Sequence, residues 1–304
     1  MSSSLPEGFT ERPLHRDDAA MVAELLLEDE RSFGGTPRIG AEDVLAWWLR
    51  TELEQNSWLL EEAERPVAGG WIDPLSDWAF AIGSVRPGAK GGGLGSWLID
   101  RSEGRARNLG LRLVRQATLG MDPGARPLFE GRGYREVRRH WEMAIELEGL
   151  PSAPQLPEGL VIETFRLDDA RAFHAASGEA FADEWGFSHL PFEEWWAMRS
   201  EDPAFDPTLW FVVRDGNELA AVSRCEAGRH GGGFVGMLGV RKPWRRRGLG
   251  LALLLHAFRE FHRLGLPRVT LGVDSENPTG ATRLYERAGM HVEGEYITFE
   301  RELA

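Results

Sequence analysis

Apolar residues along the second half of the chain come in two rhythms. Short continuous apolar runs cover about 209–214, 219–227, 234–240 and 269–273, with the length and composition of buried strands. Between the last two, Leu251, Leu254, Leu255, Phe258 and Phe261 recur at helical spacing, which predicts a helix over about 249–264 that ends at Gly265. Asp215-Gly216-Asn217 reads as a hairpin turn between the first two runs. Upstream, the pattern predicts a strand near 160–166, a helical region over 168–182, and helix and loop across the Trp- and Phe-rich stretch 183–208. Downstream, Asn277 has the chemistry of an N-cap, with Pro278 at the first helical position, Gly289 closing the helix, and a final strand or hairpin over 291–302. This order predicts an α/β domain built on one central mixed sheet.

The same pattern occurs twice. Pro6-Glu7-Gly8 returns as Pro157-Glu158-Gly159, Asp17-Asp18-Ala19 as Asp168-Asp169-Ala170, and Trp47-Trp48 as Trp195-Trp196. Gly93-Leu94-Gly95 returns as Gly248-Leu249-Gly250, and Leu128-Phe129-Glu130 as Leu284-Tyr285-Glu286. Because the matches keep their order, the chain is read as two copies of one domain. The division expected is 1–149, a proline-rich linker over 150–158, and 159–304.

Composition changes this picture little. With 42% hydrophobic and 27% charged residues among 304, each half has enough apolar material for its own core. No apolar run approaches membrane-span length, and the first residues lack the features of a signal peptide, so a cytoplasmic protein with no membrane partner is expected. Cys225 is the only cysteine, which excludes an intrachain disulfide and a Cys-rich metal site; no metal is expected. A formal net charge of −13 argues against a nucleic-acid partner.

Against that acidity, Arg241, Lys242, Arg245, Arg246 and Arg247 crowd into seven residues just after a buried strand. Gly248, Leu249 and Gly250 follow, and the helix begins at about Leu251. A strand turning through small residues into a helix N-terminus leaves backbone N–H groups free and adds the positive end of the helix dipole, which makes an anion site. The glycines let a phosphate approach the main chain. Other glycine loops fail on spacing: the dinucleotide fingerprint needs a glycine where Leu253 stands, and a P-loop needs a Lys-Ser/Thr pair.

Arg245-x-x-Gly248-x-Gly250 resembles the acyl-CoA diphosphate loop of the GNAT acetyltransferase superfamily. Asn277, Ala281, Leu284-Tyr285-Glu286 and Gly289 resemble that family's second signature. The likeness spans nearly the whole of each copy and is most specific over 234–290, and the tandem arrangement is similar to that of mycothiol synthase. The resemblance implies acetyl-CoA as cosubstrate, held by the backbone of Leu238, Gly239 and Val240, by the loop from Arg245 through Arg246, Arg247, Gly248, Leu249 and Gly250 to Leu251, and by Asn277. It implies an N–H near Leu238 that polarises the thioester carbonyl and Tyr285 as general acid to the departing thiolate.

The general base is open. Many relatives carry a glutamate where Phe234 stands here, and phenylalanine accepts no proton. Glu226, Asp183, Glu184 or a bound water are the alternatives, and His230 reads as an exposed turn residue. The first copy keeps the glycines of Lys90-Gly91-Gly92-Gly93-Leu94-Gly95 but has Phe129 for the tyrosine and no asparagine opposite Asn277, so it reads as structural or as a CoA binder without turnover. The function expected is acetyl transfer to a primary amine of a small molecule, such as an amino sugar, an antibiotic or an amino-acid derivative. Asp183, Glu184, Glu193 and Glu194 are available to attract its charge. The alternatives are a mycothiol-synthase-like amino-thiol acceptor and, from another class, a non-catalytic acyl-CoA-binding or interaction protein. Two copies in one chain suit a monomer with an internal pseudo-dimer, or a homodimer.

Overall fold

The computed structural model describes residues 4–35, 38–187, 189–202, 204–277 and 279–303. Its contacts form two compact units, one of Met1–His140 with Gly294–Ala304, the other of Trp141–Glu293. The first unit contains β1 (Phe9–Arg12), α1 (Ala19–Arg31), α2 (Ala41–Trp47), α3 (Leu53–Asn56), β2 (Ser57–Glu62), β3 (Arg65–Pro74), β4 (Trp78–Val85), α4 (Leu94–Asn108), β5 (Leu113–Leu119), α5 (Ala125–Gly131) and the start of β6 (Arg135–Glu146). The second contains the rest of β6, then β7 (Leu160–Thr164), α6 (Ala170–Phe181), α7 (Phe192–Ser200), β8 (Trp210–Asp215), β9 (Glu218–Ala227), β10 (Gly233–Val240), α8 (Leu249–Arg263), β11 (Arg268–Asp274), α9 (Ala281–Arg287) and the start of β12 (His291–Glu302).

Strand order within the units is β1-β2-β3-β4-β5-β12 and β7-β8-β9-β10-β11-β6. In each, the first four strands run antiparallel and the fifth is parallel to the fourth. The sixth place is filled by the last strand of the other repeat, which corrects the expected boundaries. Ile297 and Phe299 of β12 are buried in the first unit's core beside Phe129 and Tyr134, and β12 pairs antiparallel with β5 from Tyr296↔Leu119 to Glu302↔Leu113. Met143 and Leu147, by contrast, lie in the core of the second unit. The proline-rich stretch therefore belongs to the second unit, where Leu156 packs on the core and the Pro151 carbonyl accepts a 2.7 Å bond from Arg259 Nη1. Sequence periodicity cannot reveal such an exchange, because each strand carries the same apolar pattern whichever sheet it joins.

In the second unit both faces of the sheet are covered, which is why its strands read as continuous apolar runs. Phe211 and Val213 of β8 face Leu253, Leu254, Ala257, Phe258 and Phe261 of α8. Trp210 and Val212, the alternate positions, face Phe173 and Ala176 of α6. Phe192, Trp195, Trp196 and Phe205 extend this second cluster. Most aromatic residues of the 181–211 stretch are thus satellite core.

Asn277 does not cap α9. The helix begins at Ala281 behind Gly280, whose φ is +74°, and Asn277 lies four residues before it. Its side chain instead forms a turn, Oδ1 accepting from the Thr279 N–H at 2.9 Å. Pro278, expected at the first helical position, lies outside the described residues. Among the described residues no helix is long and apolar enough to cross a membrane.

Candidate active site

The site is built where β10 leaves β11. The two parallel strands pair at Gly233↔Val269 and Phe234↔Thr270, and β10 continues to Val240 against β9 alone. A register shift between Val235 and Met237 marks a bulge at Gly236, which bends the strand and increases its twist. A glycine isolated in an apolar strand is the sequence signal for that bulge. Along the diverging stretch one edge of the β10 backbone, including Leu238, Gly239 and Val240, is free of β11. Gly239 also has a packing reason: a Cβ there would stand 2.9 Å from Ala180 Cβ and 2.8 Å from the Phe181 ring.

The loop beyond divides its cations into two groups. Arg241 pairs with Glu179 at 2.7 Å and Lys242 with Asp183 at 2.8 Å. Arg245 turns inward, donating from Nε to the Val240 carbonyl at 3.1 Å and from Nη2 to the Ala180 carbonyl at 2.9 Å. These three brace the loop against α6 and the turn after it. Arg246 and Arg247 are exposed and, among the described residues, pair with no carboxylate. Arg246 and Gly248 both have left-handed backbone, φ +63° and +85°, and Gly248 caps α8. Alternation of right- and left-handed residues turns successive N–H groups toward one point, an anion-binding nest. A Cβ at Gly248 would meet nothing within 4 Å, so the space in front of the nest is open. Leu249 and Gly250 are buried and Leu251 half-buried as α8 starts.

Tyr285 of α9 is 7% exposed in the same unit, packed with the α8 core. Burial raises its phenol well above the ordinary tyrosine range, and the charge of Glu184 adds to the effect. The hydroxyl makes no hydrogen bond among the described residues. Glu184, half-buried in the turn after α6, accepts from Asn277 Nδ2 at 2.9 Å. Burial raises its carboxyl above the usual range, against the opposing effect of that bond. Asn277 and Glu184 are thus bonded directly, Glu184 is close enough for its charge to act on Tyr285, and Asp183 beside it pairs with Lys242 at the start of the loop.

The other candidate bases separate clearly from Glu184. Glu226 is 6% exposed but is held by Arg224 and Arg229, each at 2.8 Å, as a buried ion cluster. Asp183 is exposed and pairs with Lys242, whose hydrogen bond holds its carboxyl below the usual range. Glu193 pairs with Arg171 at 2.9 Å. Phe234 and His230 face each other with ring centroids 5.3 Å apart. Among the described residues no group of three or more His, Cys, Asp or Glu could hold a metal ion.

The first unit repeats the scaffold with different chemistry. Arg86 pairs with Glu28 as Arg241 does with Glu179. Gly91 and Gly93, at φ +84° and +85°, give the same nest without strain. Asp122 forms the turn of Asn277, accepting from the Gly124 N–H at 2.8 Å. But β4 pairs with β3 in unbroken register, without a bulge, and Phe129 is packed between Tyr134 and Phe299. Lys90 lies 2.5 Å from Asp29 and 3.8 Å from Asp122.

With this geometry in view, the comparisons are consistent. The model of the acetyltransferase (GNAT) family matches residues 20–134 and 170–290. A mycothiol acetyltransferase of Actinosynnema mirum is 32% identical over 292 residues, 91% of this chain and 93% of the relative. A second, of Geodermatophilus obscurus, is 34% identical over 67% of this chain and 68% of its own length. Among solved structures, a GCN5-related N-acetyltransferase from Sphaerobacter thermophilus is 34% identical with a TM-score of 0.87, covering 99% of this chain and 97% of that one. A tandem GNAT protein from the clavulanic acid biosynthesis pathway, 15% identical, shares the fold with a TM-score of 0.73 over 97% of this chain and 99% of its own. Two repeats, each with a strand diverging into a glycine nest at a helix N-terminus and each matched by the family model, make this chain a tandem-domain member of the GNAT acetyltransferase family.

Proposed function

We propose that the second unit transfers the acetyl group of acetyl-CoA to a primary amine of a small molecule. The observation that carries the reading is Glu184, bonded to Asn277 and close enough to act on the buried phenol of Tyr285, in the unit that holds the open nest at Arg246–Gly250. An acetyl thioester supplies an activated carbonyl. The nest N–H groups and the exposed Arg246 and Arg247 suit its diphosphate, and the free edge of Leu238–Val240 suits its amide-bearing arm. The Arg245 side chain braces this loop through the carbonyls of Val240 and Ala180.

Glu184 takes a proton from the acceptor ammonium, and Asn277 orients the carboxylate for it. The amine nitrogen forms its bond to the acetyl carbon as the carbon–sulfur bond breaks. Tyr285 gives its proton to the departing sulfur, and its raised value keeps that proton in place at neutral pH. The first unit acts as scaffold or as a CoA binder without turnover, since Phe129 has no proton to give.

A second acceptor class is favoured by the relatives named mycothiol acetyltransferase, at 32% identity across most of the chain: an amine on an amino-thiol conjugate. Phe234, at the position where the resemblance puts a glutamate, separates this chain from that pattern. The test is CoA release from acetyl-CoA with a panel of amino sugars, aminoglycosides, amino acids and a cysteinyl amino sugar. Release with at least one amine, lost in Glu184→Gln, is expected. Silence with every amine overturns the reading, and a preference for the cysteinyl compound decides for the second class.

A further inference from the structure

Residues 182–190 carry Asp183 and Glu184, yet none of the described side chains among them is fully buried. Trp185 and Phe187 are 37% and 40% exposed. A segment with so little core needs another fastening if it is to hold a carboxylate in place. The fastening is on α6. Gly178 interrupts that helix at an interior position where glycine weakens it. A Cβ there would stand 2.3 Å from His189 Cε1 and 2.6 Å from Nδ1, so the missing side chain is a notch for the imidazole. One turn earlier on the same face, the His174 ring stacks on His189 with centroids 4.2 Å apart and planes at 28°. The His174 Nε2–H donates to the Leu190 carbonyl at 2.9 Å. Phe187 rests on Phe181, 5.9 Å between centroids, and on His189.

We propose that Gly178, His174 and His189 form a lock that fastens the turn carrying Asp183 and Glu184 to α6 and so positions Glu184 against Asn277 and Tyr285. The proposal rests on the reading of Glu184 as the group that receives the acceptor's proton. These are positioning residues: they touch neither substrate, and they act through the segment they hold.

The lock is also sensitive to acid. Two imidazolium rings at this spacing repel, so the stack needs at least one neutral ring. Burial lowers the His174 pKa, against the bond to Leu190, which favours the charged form. The groups facing the pair are Phe192 and Trp195 of α7, Glu193 at the start of α7 and Arg171 of α6, the last two paired with each other. A histidine whose folded value lies below its unfolded one favours the closed arrangement above about pH 6.5, and that contribution is lost as pH falls.

The test is hydrogen exchange of peptides covering 182–187 in the full chain, corrected for the intrinsic pH dependence, together with amine turnover. Gly178→Ala restores helix propensity but fills the notch. It should speed exchange of the segment at least tenfold and lower kcat/KM for the amine, with melting temperature unchanged. His189→Phe keeps a ring in the notch without a titratable charge. It should keep its protection as pH falls below about 6.5, where the native segment progressively loses it. Unchanged exchange in Gly178→Ala overturns the lock, and faster exchange with unchanged turnover overturns its positioning role. Silence of the native protein with every amine is a different failure: it overturns the role given to Glu184, while the exchange result still decides whether the lock exists.

Discussion

Tyr285→Phe is expected to separate chemistry from stability. The side chain is 7% exposed, and its hydroxyl has no hydrogen-bond partner among the described residues. A buried hydroxyl without a partner costs about 1–3 kcal/mol, so removing it is expected to leave stability unchanged or raise it by up to about 1 kcal/mol. For a unit of this size that is an increase of about 2–4 °C in melting temperature. Loss of a general acid lowers turnover about 10²–10⁴-fold, or about 2.7–5.4 kcal/mol of barrier. The assay is release of CoA thiol, read with a chromogenic thiol reagent at saturating acetyl-CoA. The protein contributes little background, because its single cysteine, Cys225, is 1% exposed and burial pushes its thiol up to about 12. Calorimetric titration should give the same acetyl-CoA affinity for both proteins, which confines the loss to the chemical step. Turnover within threefold of the native rate would refute the assignment and leave water or another residue as the proton source. A fall in melting temperature of several degrees would refute the claim that the hydroxyl is unpartnered.

Other changes follow from the same geometry. Because burial raises the Glu184 carboxyl, the folded protein holds that proton at pH values where an ordinary glutamate has lost it. The acid limb of kcat/KM should therefore lie above the usual carboxylate range. By the same linkage, this group's contribution to stability falls as pH rises through its folded value, so Glu184→Gln should be neutral to slightly stabilising at pH 7 while removing turnover. Gly250→Glu puts a Cβ 2.8 Å from Leu284 Cδ1 and a carboxylate in the first turn of α8. It should weaken acetyl-CoA binding to the second unit at least tenfold, and any site that survives in calorimetry belongs to the nest at Gly91–Gly93. Arg246→Gly relieves a left-handed arginine, which costs about 1–2 kcal/mol, but removes an unpaired cation. Equal or higher thermal stability with weaker, less salt-dependent acetyl-CoA binding is expected. Arg268, 2% exposed, joins Glu146 and Glu293, and Arg268→Ala leaves those carboxylates without their shared partner. Because Glu146 and Glu293 are themselves 48% and 29% exposed and can be hydrated once the guanidinium is gone, a loss of about 1–3 kcal/mol in urea unfolding is expected.

The two units show how one scaffold can carry unequal chemistry. Both have the Arg–Glu brace and a left-handed pair before the helix, Gly91 and Gly93 in the first unit and Arg246 and Gly248 in the second. The bulge at Gly236, the phenol of Tyr285 and the half-buried Glu184 occur together in the second unit alone. Each depends on side-chain identity at one position, so each can be lost by a single substitution without loss of the fold.

What the sequence determined by itself was the local order. Apolar runs of strand length, the helical recurrence from Leu251 to Phe261 and the glycines at 248 and 265 specify elements through short-range sterics and periodicity, and those elements stand where they were expected. The repeat was legible for the same reason, since it is a comparison of local patterns. The loop's turn into the helix N-terminus was legible because a glycine turn and a helix start are properties of contiguous backbone. What only tertiary structure decided were partnerships between distant positions. β6 and β12 exchange places because a strand with the right apolar alternation fits either sheet, and packing of Met143, Leu147, Ile297 and Phe299 makes the choice. Arg245 reads as a phosphate ligand along the chain but is turned inward by carbonyls at 180 and 240. Asn277 reads as a cap, but its amide reaches Glu184, 93 positions earlier. Among Glu226, Asp183 and Glu184 the sequence offers three equal carboxylates. Burial and the partner each one finds in space make the first an ion-cluster member, the second a brace, and the third a carboxyl with a raised affinity for a proton.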